Sequence, residues 1–387
     1  METRPVKVLQ VIGSMDYGGV ETWLMHVWRH IDRTKFQFDF CYTKPQPGAY
    51  APEIEGLGGR MVACRLNQRN PFGFARRFRA LLRAGQYGVV HSHVHHFSGF
   101  VLRLARGEAV PVRIAHSHNT SDGKASTPPR LLYRALMCHW IRRYATHGLA
   151  VSAEAAAALF GPNWQSDPRF RVLYCGIDLE PFRQEVSREA VRQELGIPKD
   201  APVVGHVGRF APQKNHAFLL EIAAEVIKRR PEVYFLLVGD GPLRPQMEAM
   251  ARDLGIEKNV IFAGVRADVP RLMLGAMDAF LLPSLWEGLP VSLLEAQTAG
   301  LRCVCSDAVP PEAAVVPDVV RYVRLSAGAG EWAAVVLRTL EYGRLREAGA
   351  LEVIAKGDFN VQKSCQDLIG LYGQVAGRGV TGEKADA

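Results

Sequence analysis

One rhythm governs what this chain can fold into. Short runs rich in β-branched residues alternate with amphipathic stretches of roughly 10–15 residues, and the alternation stops and then restarts. The first run reads as strands over 6–12, 36–42, 60–64, 89–92 and 112–115, with helices over 20–31, 71–84, 99–106 and 130–144 and a strand over 148–151. Residues 161–181 are irregular, with a loop over 163–168. The second run opens with a strand over 201–208. It continues with helices over 217–230, 242–254, 269–275 and 290–299, between strands over 233–238, 260–262, 279–282 and 303–306. Strands separated by helices of this length build parallel sheets covered on both faces. The expected fold is therefore α/β, with two Rossmann-like, doubly wound domains over 1–172 and 173–359. A C-terminal helix at about 360–375 is expected to pack back on the first, and residues 377–387 to form a flexible tail.

At 387 residues the chain is long enough for two or three cores. With 48% hydrophobic and 22% charged residues, extensive disorder is excluded. The seven cysteines are odd in number and scattered, which predicts buried thiols rather than a disulfide framework, and Cys303-Val304-Cys305 fits a strand better than a zinc knuckle. No apolar run is long enough to span a bilayer and no signal-peptide core follows Met1, so a cytoplasmic protein is expected. Charge is lopsided: residues 1–170 hold 22 Lys and Arg against 11 Asp and Glu, the remainder 25 against 28. The first domain should face something anionic.

In open parallel sheets, ligands bind beyond the carboxyl ends of the strands, so chemistry is sought in the strand-to-helix turns. Gly18-Gly19 opens a helix after the first strand; a tight turn alone explains it equally well. The dinucleotide spacing G-x-G-x-x-G occurs once, at Gly377, Gly379 and Gly382, with neither strand nor helix around it, which argues against a dehydrogenase. After the first strand of the second domain, Gly208-Arg209 and Lys214 put two cations on one loop, an arrangement suited to a diphosphate. Further on, Glu287-Gly288-Leu289-Pro290 leads into an apolar helix that carries Glu295. A carboxylate in such a segment needs partners, and ligand hydroxyls can provide them. His91, His93, His95 and His96 cluster at one strand end and His116 and His118 at the next. No recognised zinc spacing accompanies them, so a polar wall is expected and no metal.

Taken together these residues resemble a family-4 retaining glycosyltransferase of the GT-B fold, over nearly the whole chain. The most specific element is the E-x7-E motif of Glu287 and Glu295. Around it stand Val207-Gly208-Arg209 with Lys214, Val238-Gly239-Asp240-Gly241-Pro242, Asn259-Val260-Ile261-Phe262-Ala263-Gly264 and Tyr174-Cys175-Gly176-Ile177-Asp178, where Cys175 replaces a commoner Asn. The resemblance implies that Arg209 and Lys214 grip the donor diphosphate, Glu295 the ribose and Glu287 the transferred sugar. The amides of Gly288 and Leu289 would add to the phosphate cradle beside Gly208, and the Gly264-Val265-Arg266 stretch would border the base. Gly18 and Gly19 of the other domain would approach the diphosphate. His118, or else His116, would be the active-site histidine.

The implied reaction is metal-independent, retaining transfer from a nucleotide-diphosphate sugar, UDP-sugar foremost, to a lipid-linked or cell-surface polysaccharide acceptor; no Asp-x-Asp occurs in the sequence. No cofactor is implied, and no nucleic-acid motif accompanies the basic charge. The basic amphipathic helix over 71–83, with four arginines beside Phe74, Phe78, Leu81 and Leu82, predicts peripheral contact with anionic membrane at its inner face. A solvated helix with a core-facing apolar side is the plainer reading. A sugar-nucleotide epimerase or hydrolase on the same fold, or a non-catalytic nucleotide-sugar-binding protein, are the competing readings. Donor sugar, base, acceptor and oligomeric state stay open.

Overall fold

The computed structural model describes residues 4–66, 70–121, 125–345 and 347–375. The tail expected over 377–387 lies outside them. The chain divides into two compact units, Met1–Cys175 with Val361–Ala387, and Gly176–Asn360.

The first unit runs β1 (Val6–Ile12), α1 (Gly19–His30), β2 (Phe36–Tyr42), α2 (Ala51–Gly56), β3 (Arg60–Ala63), α3 (Pro71–Gly85), β4 (Val89–Ser92), α4 (Ser98–Gly107), β5 (Val112–Ser117), α5 (Pro128–Tyr144), β6 (His147–Ala150), α6 (Ala153–Phe160) and β7 (Phe170–Val172). Its seven parallel strands lie in the order β3-β2-β1-β4-β5-β6-β7. β1 is central and buried from Val8 to Ile12, as expected of a strand covered on both faces. Trp23, Leu24, Val27 and Trp28 of α1 are enclosed, and the Trp28 ring stacks on Phe38 of β2 at 5.0 Å.

The second unit runs α7 (Arg188–Glu194), β8 (Val203–Val207), α8 (His216–Arg229), β9 (Tyr234–Val238), α9 (Arg244–Asp253), β10 (Val260–Gly264), α10 (Val269–Gly275), β11 (Ala279–Leu282), α11 (Val291–Thr298), β12 (Arg302–Ser306), β13 (Val320–Val323), α12 (Ala329–Glu341) and α13 (Glu347–Lys356). Six parallel strands lie in the order β10-β9-β8-β11-β12-β13. Phe235, Leu237, Leu281 and Val304 of the strands pack with Leu219, Ala223, Val226 and Trp332 of the helices. The chain then returns: α14 (Val361–Tyr372) belongs to the first unit and packs on α1, with the Tyr372 ring 5.9 Å from both Phe36 and Phe38.

Several details differ from the sequence reading. The irregular stretch over 161–181 contains a short 3₁₀ turn, Trp164–Ser166, and the edge strand β7, too short to show alternation. Pro290 precedes α11 as its cap instead of sitting in the first turn. The apolar side of α3 is core: Phe74, Phe78 and Leu82 are buried while Arg76, Arg77, Arg79 and Arg83 stay exposed, so that face is not free to lie on lipid. Exposed apolar side chains occur instead at Phe72 and along α5, at Leu131, Leu132 and Leu136, where only Met137 and Ile141 are buried. The seven cysteines are free thiols, buried except for half-buried Cys138.

Candidate active site

Each sheet has one place where strand order reverses, between β1 and β4 in the first and between β8 and β11 in the second. The helices that follow the two flanking strands leave on opposite faces, so a crevice opens at their carboxyl ends. The candidate residues gather at these two places.

In the second unit, the loop after β8 carries Arg209 and Lys214, and the loop after β11 carries Glu287. Lys214 Nζ lies 2.6 Å from Glu287 Oε1 and ties the two loops across the reversal point. Gln213 donates from Nε2 to Glu287 Oε2 at 3.1 Å and to the Trp286 carbonyl at 3.0 Å, and Leu285 N donates to Gln213 O at 2.8 Å. The ion pair is largely enclosed, with side-chain exposures of 15% and 5%. Arg209 differs. Its side chain is exposed and makes no ion pair or hydrogen bond among the described residues, so one full positive charge is left at the mouth of the sheet.

The loop after β9 explains the glycines of its motif. Gly239 sits at φ +134°, and a Cβ there would collide with the Gly208 carbonyl oxygen, so the two loops can touch only with glycine at this position. Phe210 N donates to Asp240 O at 3.0 Å, extending that contact.

Glu295 lies in the second turn of α11 among Leu293, Leu294 and Ala296. It is buried and has no hydrogen-bond or ion-pair partner among the described residues, and burial pushes its carboxyl up to about 7. Upstream, the amides of Gly288 and Leu289 donate to no described acceptor. A helix N-terminus with unpaired amides attracts an anion, and an unpartnered carboxylate one turn inside requires hydroxyl donors. At the end of β10, Gly264 takes φ +68° and Val265 is exposed. Of the three residues expected to border the base, Arg266 is instead committed to Asp268 and Glu194, at 2.7 Å each, while Val265 is exposed beside Gly264.

In the first unit, Gly18 caps α1 and Gly19 begins it. The strand ends opposite carry the histidines. His116 is inside β5 and wholly enclosed, with its ring 5.2 Å from that of Trp23, whereas His118 follows the strand end. His91 Nε2 lies 3.1 Å from His116 Nδ1, and His93 Nδ1 lies 2.8 Å from His118 Nε2. Burial, and then repulsion from neighbouring rings, holds all four well below the usual imidazole value. The ring nitrogens of His91, His93 and His116 approach within 4.8 Å, close enough to share an ion. Five of their six nitrogens are already hydrogen-bonded within the protein, which argues against that use.

Sequence reasoning passed over Gln213, which steadies Glu287, and over Gln10 and Tyr372, which contact the histidines. Gln213 lies beside Lys214 in the motif and was findable; Tyr372 is 362 residues from Gln10 and carried no local signal.

Two Rossmann-like units, each with a parallel sheet and one reversal point, have the architecture of the GT-B fold. Residues 187–348 match the model of the glycosyl transferases group 1 family and residues 17–181 that of glycosyltransferase family 4; the chain belongs to this family of glycosyltransferases. It is 35% identical over 375 residues to the protein named "Putative glycosyltransferase EpsF" of Bacillus subtilis (strain 168), covering 96% of this chain and 97% of that one. It is 30% identical over 235 residues, 59% of each chain, to UDP-Gal:alpha-D-GlcNAc-diphosphoundecaprenol alpha-1,3-galactosyltransferase of Escherichia coli. The fold matches that of Anabaena Alr3699/HepE in complex with UDP at a TM-score of 0.75 and 21% identity, covering 95% of this chain and 100% of that one. No helix among the described residues is long and apolar enough to cross a membrane.

Proposed function

We propose that this glycosyltransferase moves a sugar, with retention and without a metal ion, from a UDP-sugar to a lipid-linked or polysaccharide acceptor. The observation that carries the reading is the pairing of an uncompensated cation, Arg209, with a buried, unpartnered carboxylate, Glu295, at one end of one sheet. A nucleoside diphosphate supplies what each lacks: charge for Arg209 and ribose hydroxyls for Glu295. The E. coli relative uses UDP-galactose and a diphosphoundecaprenol acceptor by name, and HepE binds UDP-glucose. Both support the donor class, and the E. coli relative the acceptor class.

In this reading the amides of Gly288 and Leu289 and the α11 N-terminus cradle the diphosphate beside Gly208, with Arg209 and Lys214 balancing its charge. Gly18 and Gly19 keep the first turn low enough for the phosphates, and Gly264 and Val265 flank the base. Glu287 accepts hydroxyls of the transferred sugar while Lys214 and Gln213 fix its orientation, and His118 is the imidazole assigned to a sugar hydroxyl. As the bond from sugar C1 to the phosphate oxygen breaks, negative charge collects on the leaving UDP. Preoriented cations and amides stabilise it without an ion. The acceptor oxygen bonds C1 on the face the phosphate leaves, and its proton passes to the departing phosphate oxygen. Incubation of labelled UDP-galactose and UDP-glucose in EDTA, with and without a lipid-linked diphosphate sugar, tests this. Acceptor-dependent, anomerically retained product is expected. Donor turnover without acceptor would favour an epimerase or hydrolase, and no turnover until a divalent ion is added would refute metal independence.

The basic first unit would bring the enzyme to lipid at the inner face of the membrane. Leu132, 73% exposed, stands with Leu131 and Leu136 on α5, a helix that also carries exposed Arg142 and Arg143. An apolar ridge with flanking cations suits an anionic interface.

A further inference from the structure

Four imidazoles, three buried and His93 half-buried, form two short hydrogen-bonded chains that meet at one amide. Gln10, in the middle of β1, donates from Nε2 to the Tyr372 hydroxyl at 3.2 Å, and its Oε1 lies 2.9 Å from His93 Nε2. The Tyr372 hydroxyl lies 2.8 Å from His91 Nδ1. One chain therefore runs Gln10, His93, His118. The other runs Gln10, Tyr372, His91, His116. Both cross from strand to strand at the reversal point of the first sheet.

We propose that the Gln10 amide sets the tautomer of all four histidines together and so acts as a positioning residue for His118. With the amide in this orientation, each proton follows in turn. An amide oxygen only accepts, so His93 donates from Nε2. A neutral imidazole carries one N–H, which leaves His93 Nδ1 bare, and it accepts from His118 Nε2. His118 Nδ1 then keeps its lone pair; its sole described neighbour in the network is the Cys175 thiol, at 3.9 Å. In the second chain, Tyr372 receives the amide proton and passes its own to His91 Nδ1. His91 donates from Nε2 to His116 Nδ1, and the His116 proton rests on Nε2, which is buried without a partner. The enclosed Tyr372 hydroxyl accepts from Gln10 and has His91 Nδ1 as its described acceptor, which orients the second chain and leaves the His116 Nε2 proton as the donor without a partner. All four rings are thus Nε2–H. Turning the amide over reverses every bond and makes all four Nδ1–H. Burial keeps the rings neutral, so no second proton blurs this coupling.

The consequence for catalysis rests on the proposed contact between His118 and the transferred sugar. With Nε2–H committed to His93, His118 offers a lone pair at Nδ1 and accepts from a sugar hydroxyl, while His116 offers an N–H. Gln10, two hydrogen bonds away, decides that polarity.

Long-range proton–nitrogen correlation on the ¹⁵N-labelled full chain reads each tautomer directly. Four Nε2–H signatures are expected in the wild type; a mixed set or a uniform Nδ1–H set overturns the assignment. Gln10→Met keeps the length of the side chain and removes both its donor and its acceptor. It should leave His93 and His118 as tautomer mixtures within an otherwise preserved amide spectrum, and lower kcat by roughly tenfold to a hundredfold at nearly constant donor KM. Unmoved tautomers in this variant refute the proposal whatever the rate. His118→Ala is the separate control: unchanged kcat there removes the sugar contact but leaves the tautomer result standing.

Discussion

Replacing Glu295 by glutamine exposes two linked consequences of one buried carboxylate. Burial raises its carboxyl from 4.5 to about 7, so the unliganded protein holds a proton there over much of the neutral range. Ribose hydroxyls donate to the ionised form, and donor binding must therefore release that proton at lower pH. Releasing one proton costs about 1.4 kcal/mol for every pH unit below 7, so donor affinity should weaken about tenfold between pH 8 and pH 6 and stay flat above about 8. The histidines nearest the loops do not imitate this, because burial holds His206 well below 6.5 and His216 down at about 4. Calorimetric titration with UDP-glucose and UDP-galactose measures the slope. Glu295→Gln should bind more weakly and lose it.

Stability moves the opposite way. A carboxyl raised in the folded state stabilises the fold most at low pH, and the wild type loses that contribution as pH climbs from about 4.5 through about 7. Relative to wild type, Glu295→Gln should gain on the order of 3 kcal/mol between about pH 4.5 and pH 8 in urea unfolding. A pH-independent donor affinity in the wild type, or stability curves that run parallel across that range, would refute a buried, unpartnered Glu295.

Other outcomes follow from the same geometry. Arg209→Ala removes the unpaired cation and should cost about 10²–10³ in kcat while leaving thermal stability within experimental error, since the exposed side chain makes no hydrogen bond or ion pair among the described residues. Lys214→Met strands Glu287 in a largely enclosed place and should destabilise the protein by about 3–5 kcal/mol, with Lys214→Met/Glu287→Gln recovering part of the loss; a double-mutant cycle in urea reads the coupling. Gly239→Val should unfold at a markedly lower temperature and lose donor binding, because its Cβ drives the β9 loop off Gly208. Leu132→Asp with Leu136→Asp should reduce co-sedimentation with phosphatidylglycerol vesicles at low salt and leave transfer to a water-soluble acceptor analogue unchanged; equal sedimentation would remove α5 from the membrane contact.

The alternation of strand and helix was legible because buried parallel strands are nearly all apolar, and β2, β4, α10 and β11 have the bounds their patterns predict. Short or weakly contrasted elements were not. α6 is a run of alanines with little polar face to give it a period, and the edge strand β7 spans only three residues. β13 exposes Arg321 and Tyr322 at the sheet edge, which breaks the apolar run a strand is read from. The site divides in the same way. Arg209, Lys214 and Glu287 lie between a strand and the helix that follows it, and Glu295 lies in the helix after Glu287, so strand, glycine and helix are close in sequence. The network that joins Gln10 to His91 and Tyr372 depends on α14 returning to the first unit, which local sequence does not encode. The ion pair of Lys214 with Glu287 was also hidden, since each residue separately reads as a ligand contact.

The central claim is that the second unit holds a nucleotide sugar through Arg209 and Glu295 with no metal ion. Titrating UDP-glucose and UDP-galactose in EDTA into the wild type, Arg209→Ala and Glu295→Ala tests it most directly. Saturable binding by the wild type, weakened at least about tenfold in each variant, is the predicted result. Binding that appears only with added magnesium or manganese, or that survives undiminished in both variants, would contradict it.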